Sequence, residues 1–418
     1  MPLAYFRCFY FLKMTLETLD ADAVDFLLSV NGQAALAELA GSDISDENTL
    51  SLLAELRRRF PPPVAGALLT MARLRRRAAA KFPFADRLFL TPEALEQATA
   101  WPVALHRAAW IDRYAPPGPV LDLGCGIGGD TLALAQYRLV IAIEQDPLRL
   151  RFAQANAAAL GLTPQVRFIQ ADWTALLATD QLPAAVTAFA DPARRVEGRR
   201  VFSLHQMEPP LAMLLNLQRT QPALGIKVMP GVQDDELPAG CGVEFISHEG
   251  VCKEAVLWFG PLNQHRRWAS VHTGENWEQI INRGEPAPQG PLLAVLYLHE
   301  PDPAVIRAGA LGALCERLGA WLFDPQIAYL VTPSWQPDAL VQSFRVDEVH
   351  RFSLKTLNRR LQALGVGAVE LKKRGFPVEP ETLRTRLKLR PGGKAATVLF
   401  TRRGEERLML IGERMTNR

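Results

Sequence analysis

Apolar positions recur at helical spacing along the first part of the chain. Ala23, Phe26, Leu27 and Val30 form one set, Leu50, Leu53, Leu56 and Phe60 a second, and Leu68, Leu69, Met71 and Leu74 a third. That period predicts amphipathic helices between Met14 and about Lys81. Ser45 or Asp46 is the expected cap of the second helix, and Pro61-Pro62-Pro63 stops it. Thr91-Pro92-Glu93 predicts another start, with cap, proline and acid in sequence. Beyond residue 119 the period changes. Short apolar runs at 120–123, 140–144, 166–169, 185–190 and 226–229 alternate with helical stretches at 132–135 and 148–160. Strands alternating with helices predict a parallel sheet. Residues 243–247 and 254–259 read as a hairpin, with one more strand at 268–271. Asn, Gly, Pro and Glu between 274 and 290 read as a linker. After it come expected strands at 292–298, 328–331, 341–346 and 368–375, a closing hairpin at 395–401 and 408–411, and helices at 302–318, 354–364 and 379–387. The expected domains are therefore 14–85, 86–273 and 291–418.

The length of 418 residues agrees with two or three domains, and 48% apolar with 22% charged residues is ordinary for a globular protein. A net charge of +3 says little before its distribution is known. The five cysteines, Cys8, Cys125, Cys241, Cys252 and Cys315, contain no C-x-x-C pair, so neither a zinc site nor a disulfide framework is indicated, and a reducing cytoplasm fits. Cys252 has no base or paired motif beside it and reads as a buried thiol, not a nucleophile. No apolar run reaches the ~20 residues of a membrane span. Phe6, Cys8, Phe9, Tyr10, Phe11 and Leu12 cluster ahead of Met14 without a cleavage site. That segment reads as an over-extended start or a disordered tail, in preference to a targeting segment.

The chemistry concentrates between Pro119 and Pro147. Val120 to Leu123 is a strand, Gly124, Gly126, Gly128 and Gly129 make a turn, a helix follows, and Glu144 closes the second strand. Glycines there let backbone bend sharply and touch a ligand. An acid about 20 residues after such a turn typically holds a ribose diol. Gly124, Gly126 and Gly129 satisfy the dinucleotide pattern literally, so a nicotinamide cofactor stays open on that pattern alone, as does a turn without ligand. Asp122 pulls away from the first of these, because a carboxylate suits a cationic ammonium or sulfonium and repels a pyrophosphate. Asp172 ends the third strand, where it can accept from an adenine amino group or cap a helix. The fourth strand ends in Asp191-Pro192-Ala193-Arg194-Arg195. Arg194, Arg195, Arg199 and Arg200 crowd that loop, which points to a phosphate-bearing substrate. Residues 351–418 carry seventeen Lys or Arg against six Asp or Glu, including Lys372, Lys373, Arg374, Arg384, Arg386, Lys388, Arg390 and Lys394. Such a region is either a nucleic-acid footprint or a solvated basic face.

Asp122-Leu-Gly124-Cys-Gly126-Ile-Gly128 with Glu144 resembles motifs I and II of class I S-adenosylmethionine methyltransferases. Lys81-Phe-Pro, Leu95-Glu96-Gln97-Ala-Thr99, Asp191-Pro-Ala-Arg-Arg, 297–307 and Lys372-Lys-Arg-Gly375 resemble a bacterial family in which that domain precedes a THUMP-like domain. The core is also distantly similar to trimethylguanosine synthase, which methylates guanine N2. The resemblance implies an α/β fold: a Rossmann-like sheet of class I methyltransferase type with an N-terminal helical domain and a C-terminal α+β THUMP-like domain. It implies S-adenosylmethionine as cofactor, held by Asp122, Gly124, Gly126, Glu144 and Asp172, and no metal. It implies that Asp191 accepts from a target amine, that Pro192 stiffens the turn, and that Arg194 stands where an aromatic stacking residue is usual. Ala193 likewise replaces a second proline. Glu96, Gln97 and Thr99 either line the cofactor pocket or sit on an exposed helix face. The implied partner is RNA, transfer or ribosomal, and no membrane. Two other classes stay open: a small-molecule methyltransferase, and a non-catalytic RNA-binding module with a vestigial pocket.

Overall fold

A computed structural model describes residues 20–192, 195–196, 199–200, 203–274, 276–292 and 296–416. The cluster before Met14 and Arg194 lie outside these. The described residues divide into two compact units, the first reaching Pro192 and including Glu208–Ile226 and Gly260–Leu262, the second holding the rest.

The first unit begins with four helices: α1 (Ala21–Leu28), α2 (Val30–Ala40), α3 (Thr49–Arg59) and α4 (Pro62–Ala78). Ser29 separates the first two. Its hydroxyl donates to the Phe26 carbonyl at 2.6 Å and accepts from Gly32 N at 3.1 Å. The break takes Val30 off the apolar stripe that periodicity assigned it, so it is 87% exposed while Leu27 and Leu36 are buried. Leu50, in the first turn of α3, is likewise outward. The cap position of α3 is Asn48, which makes no side-chain capping bond; the Ser45 carbonyl accepts from Thr49 Oγ1 at 2.9 Å. Arg75 is a packing residue. Its Nε donates to the Leu88 carbonyl at 2.8 Å, its guanidinium lies 5.4 Å over Phe89, and burial lowers its pKa to about 10.

Thr91 caps α5 (Pro92–Gln97) through Ala94 N at 3.1 Å. The helix stops early, because the Lys81 ammonium holds the carbonyls of Leu95 (2.7 Å) and Ala98 (2.8 Å). The chain restarts as α6 (Trp101–Tyr114), so the single helix expected here is two, and Glu96 and Gln97 are exposed. Next come β1 (Val120–Leu123), α7 (Gly129–Leu134), β2 (Val140–Glu144), α8 (Pro147–Ala159), β3 (Val166–Gln170), α9 (Trp173–Ala178), β4 (Thr187–Ala190), α10 (Leu211–Asn216) and β5 (Ala223–Val228). The strands pair in parallel in the order β5-β4-β1-β2-β3. Reversal of the strand order at β1 makes a crevice beyond its carboxyl end, where ligands of such sheets bind.

In the second unit β6 (Gly242–His248), β7 (Val251–Trp258), β8 (Arg267–Thr273) and β9 (Asn276–Ile281) pair in the order β9-β8-β6-β7. Thus part of the expected linker is an edge strand. Ile280 buries opposite Ala269, and an edge tolerates the polar residues between. Cys252 is buried and its thiol is pushed up to about 12 by that burial. A second sheet comprises β10 (Leu296–Pro301), β11 (Trp321–Leu322), β12 (Leu330–Thr332), β13 (Val341–Arg351), β14 (Val366–Lys373), β15 (Lys394–Arg403) and β16 (Glu406–Arg414). Their order is β11-β12-β10-β13-β16-β15-β14, antiparallel except for β14 and β15. The expected helix at 302–318 divides into α11 (Pro303–Arg307) and α12 (Leu311–Leu318), with Gly309 at φ +69° between them. Helices α13 (Leu354–Ala363) and α14 (Pro380–Arg384) flank β14. Leu399 and Leu410 face one core with Phe344. Val398, Phe400 and Met409 face another with Leu357 and Leu361 of α13. Side-chain alternation along each strand sorts them. Among the described residues no helix is long and apolar enough to cross a membrane.

Candidate active site

β1 lies between β2 and β4, and all four of its residues are buried. Asp122 is the polar exception. It is 2% exposed and its Oδ2 accepts from the Thr131 hydroxyl. Beyond β1 the chain turns on Gly124, Gly126 and Gly128, with φ of +78°, +58° and +91°. These left-handed values explain the glycines. Gly128 has a second reason, since a Cβ there would stand 3.3 Å from the Cβ of Ala153 on α8. Gly124 is exposed, and within 4 Å of its absent Cβ lies only Trp173 Nε1, at 3.8 Å. The turn is therefore an open cradle with an indole beside it.

Glu144 fixes the cradle from the next strand. Its Oε2 accepts from Gly126 N at 2.8 Å and its Oε1 from Asp146 N at 2.9 Å. It is 6% exposed, and each oxygen keeps a lone pair for a hydroxyl. Asp172 caps α9. Its Oδ1 accepts from Thr174 N at 2.8 Å and from Thr174 Oγ1 at 2.7 Å, and the latter bond leads in holding its pKa below the usual range. Capping leaves the other oxygen for a ligand.

Parallel pairing sets Leu123 beside Ala190, so Asp191 emerges from β4 at the level of Gly124. Pro192 behind it is buried. Burial raises the pKa of Asp122 to about 7, helped by the charges of Asp130 and Asp191 and opposed by the Thr131 bond and by Arg107. The same three carboxylates and one guanidinium thus share one region at the carboxyl ends of β1 and β4. Arg107, 1% exposed, pairs with Asp130 and lies 5.0 Å over the Phe189 ring. Three acids and one base meet here among the described residues, an arrangement suited to a cation. Later in the chain, Arg195–Val196 and Arg199–Arg200 of the second unit pair with each other as two short antiparallel strands.

Arg107, Asp130 and Thr131 escaped sequence reasoning, whereas Trp173 was expected near the adenine only as the side chain that follows Asp172. A usable signal existed for Arg107: at helical spacing with Val103 and Ile111 it occupies an apolar stripe, where an arginine needs a buried acid. Asn156 also went unnoticed. It is 1% exposed; its Oδ1 accepts from Phe89 N at 2.7 Å, and its Nδ2 donates to Phe89 O at 3.1 Å and to Ile127 O at 2.9 Å. It thereby ties the glycine turn to the segment before α5. Asn156→Ala strands these buried groups and is expected to destabilise the protein by about 2–4 kcal/mol, read as a lower thermal midpoint.

Comparison with known proteins places these features. Residues 120–201 match a methyltransferase domain, 341–414 a THUMP domain-like domain, and 20–78 a domain of unknown function. An uncharacterised S-adenosylmethionine-dependent methyltransferase of Mycobacterium tuberculosis is 36% identical over 344 residues, 79% of this chain and 91% of the relative. Trimethylguanosine synthase of Schizosaccharomyces pombe is 31% identical over 90 residues, 21% of this chain and 38% of the relative. A 23S rRNA uracil C5-methyltransferase of Acidithiobacillus ferrooxidans is 36% identical over 95 residues, 22% of each. Among solved structures, a methyltransferase from Porphyromonas gingivalis superposes with a TM-score of 0.70 at 19% identity, over 89% of this chain and 99% of that one.

Proposed function

The chain belongs to the S-adenosylmethionine-dependent methyltransferases, and on that premise we propose that it methylates an exocyclic base amine in RNA, with guanine N2 the favoured atom. The observation that carries this reading is the convergence of Asp122, Asp130 and Asp191 at the tips of β1 and β4, beside an open glycine cradle. Bound S-adenosylmethionine supplies an electrophilic methyl group on a sulfonium. The cradle of Gly124 and Gly126 admits the cofactor's backbone-hugging portion, Glu144 takes the ribose hydroxyls, and Asp172 offers its uncapped oxygen to the adenine amine. Asp122 favours the methionine ammonium by charge. Asp191 accepts one N–H of the target amine, which aims the nitrogen lone pair at the methyl carbon and leaves the carboxylate placed for the departing proton. Pro192 stiffens the turn that presents it. Arg194 would stack on the base as a guanidinium plane.

Carbon methylation of a pyrimidine through Cys252 is not favoured, since that thiol is buried and pushed up to about 12. Amine methylation needs no such nucleophile. Among the described residues no group of His, Cys, Asp and Glu could hold a metal. The expected division is helical domain 14–85, transferase domain 86–273 and THUMP-like domain 291–418. The four described cysteines are free, which suits work in the cytoplasm. Incubating the protein with tritiated-methyl cofactor and total RNA, followed by nucleoside mass spectrometry, tests the reading. Label in an N-methylated nucleoside is expected; label only in small molecules would contradict it.

Asp122 adds a pH dependence. Its raised pKa means that the protonated carboxyl favours the free fold below the ordinary carboxylate range, and that this contribution is lost as pH rises through about 7. An ammonium beside it selects the carboxylate, so cofactor affinity should rise with pH. Between pH 6 and pH 8 the gain is expected to be about tenfold, with protons released on binding at the lower value. Calorimetry in two buffers of different ionisation enthalpy measures both, and Asp122→Asn should flatten the profile.

A further inference from the structure

Resting on RNA as the substrate class, we infer that the phosphate-docking surface of the C-terminal domain is not the basic strand end at Lys372–Arg374. We place it on a separate rigid patch made by α13 and the loop from Arg386 to Lys394. Of the eight cationic residues that mark the tail, half are neutralised within the protein. Lys372 and Arg374 both pair with Glu300, Lys373 with Glu379, and Arg384 with Glu381. Arg386, Lys388, Arg390 and Lys394 are exposed and, among the described residues, have no carboxylate partner. Lys355 and Arg359, one helical turn apart on α13, are exposed and unpaired in the same way.

The loop is built to display them. Leu387 and Leu389 pack on the core that contains Leu361 and Phe400, which sends Arg386, Lys388 and Arg390 outward by alternation. Asn358, between Lys355 and Arg359, clamps the loop to α13. Its Nδ2 donates to Arg386 O at 3.1 Å, and its Oδ1 accepts from Lys388 N at 2.7 Å. At the far end Arg390 N donates to Val366 O at 2.7 Å and Lys394 N to Gly365 O at 3.1 Å. Glycines allow that approach, since a Cβ on Gly393 would fall 2.2 Å from Gly365 O and one on Gly367 2.4 Å from Arg390 O. Six cations held at both ends without counter-ions form a preorganised polyanion surface. No large exposed apolar side chain lies among them, so neither a lipid anchor nor the apolar centre of a protein interface is present.

The test uses the full chain, fluorescently labelled bulk transfer RNA, and anisotropy across a salt series. Lys388→Glu with Arg390→Glu is expected to weaken binding at least about tenfold and to lower the log–log salt slope by about 2. Arg384→Gln with Arg403→Gln removes charge already paired with Glu381 and Glu406 and should stay within about twofold. Asn358→Ala changes no charge and should weaken binding about threefold at unchanged slope. Thermal midpoints and S-adenosylhomocysteine affinity verify folding of each variant. Equal affinity and slope in the charge-reversed variant would overturn the surface and leave the RNA reading standing. Wild-type protein that binds S-adenosylhomocysteine but shows no salt-dependent RNA binding would overturn both. Binding to phosphatidylserine vesicles in place of RNA would assign the patch to a membrane and overturn it as well.

Discussion

Asp191→Ala is expected to leave S-adenosylmethionine affinity within about threefold of wild type and to lower methyl transfer by about 10²–10³-fold. The residue sits at the end of β4, level with Gly124 across the strand pair, and Glu144 holds the cradle without its help. Loss of its carboxylate removes the one acceptor proposed to orient the amine. It also removes a like charge that helps hold the Asp122 pKa up. The midpoint of the pH dependence of cofactor binding should therefore move down in the variant. Single-turnover transfer under saturating cofactor separates this from a binding defect. A purely structural role for Asp191 would lower affinity and transfer together.

Glu144→Ala should do the reverse and lose cofactor binding about 100-fold, because two charge-assisted hydrogen bonds disappear at once. The carboxylate has two duties. It is proposed to hold the ribose, and it already accepts from Gly126 N and Asp146 N. Glu144→Gln separates them in part, since the amide keeps one acceptor oxygen and places donors against a backbone N–H. An intermediate loss is expected. Calorimetry with S-adenosylhomocysteine measures both variants, and an unchanged affinity in Glu144→Ala would refute the ribose assignment.

The glycine turn, Asp122, Glu144 and Asp191 were legible in the sequence because each is tied to the end of a short strand, where spacing alone fixes position. Most strands were legible from their apolar runs, apart from end residues, the two-residue β11 and the short Arg195–Val196 and Arg199–Arg200 pair, which were not read, and β9, whose polar composition looked like a linker. What the sequence hid was convergence between elements. Arg107 reaches Asp130 from a different helix, and Trp173 reaches Gly124 from beyond β3. The basic tail hid it most. Lys372 pairs with Glu300, 72 residues away, so a charge count could not separate neutralised cations from open ones. Helix breaks were hidden where a side chain outside the helix ends it, as Lys81 does for α5.

A crystal structure with S-adenosylhomocysteine bound tests the central claim most directly. The ribose hydroxyls should meet Glu144, the adenine should lie by Asp172 and Trp173, and the sulfur should face Asp191 across a gap wide enough for one base edge. A ligand whose sulfur faces away from Asp191, or whose ribose leaves Glu144 untouched, would contradict it.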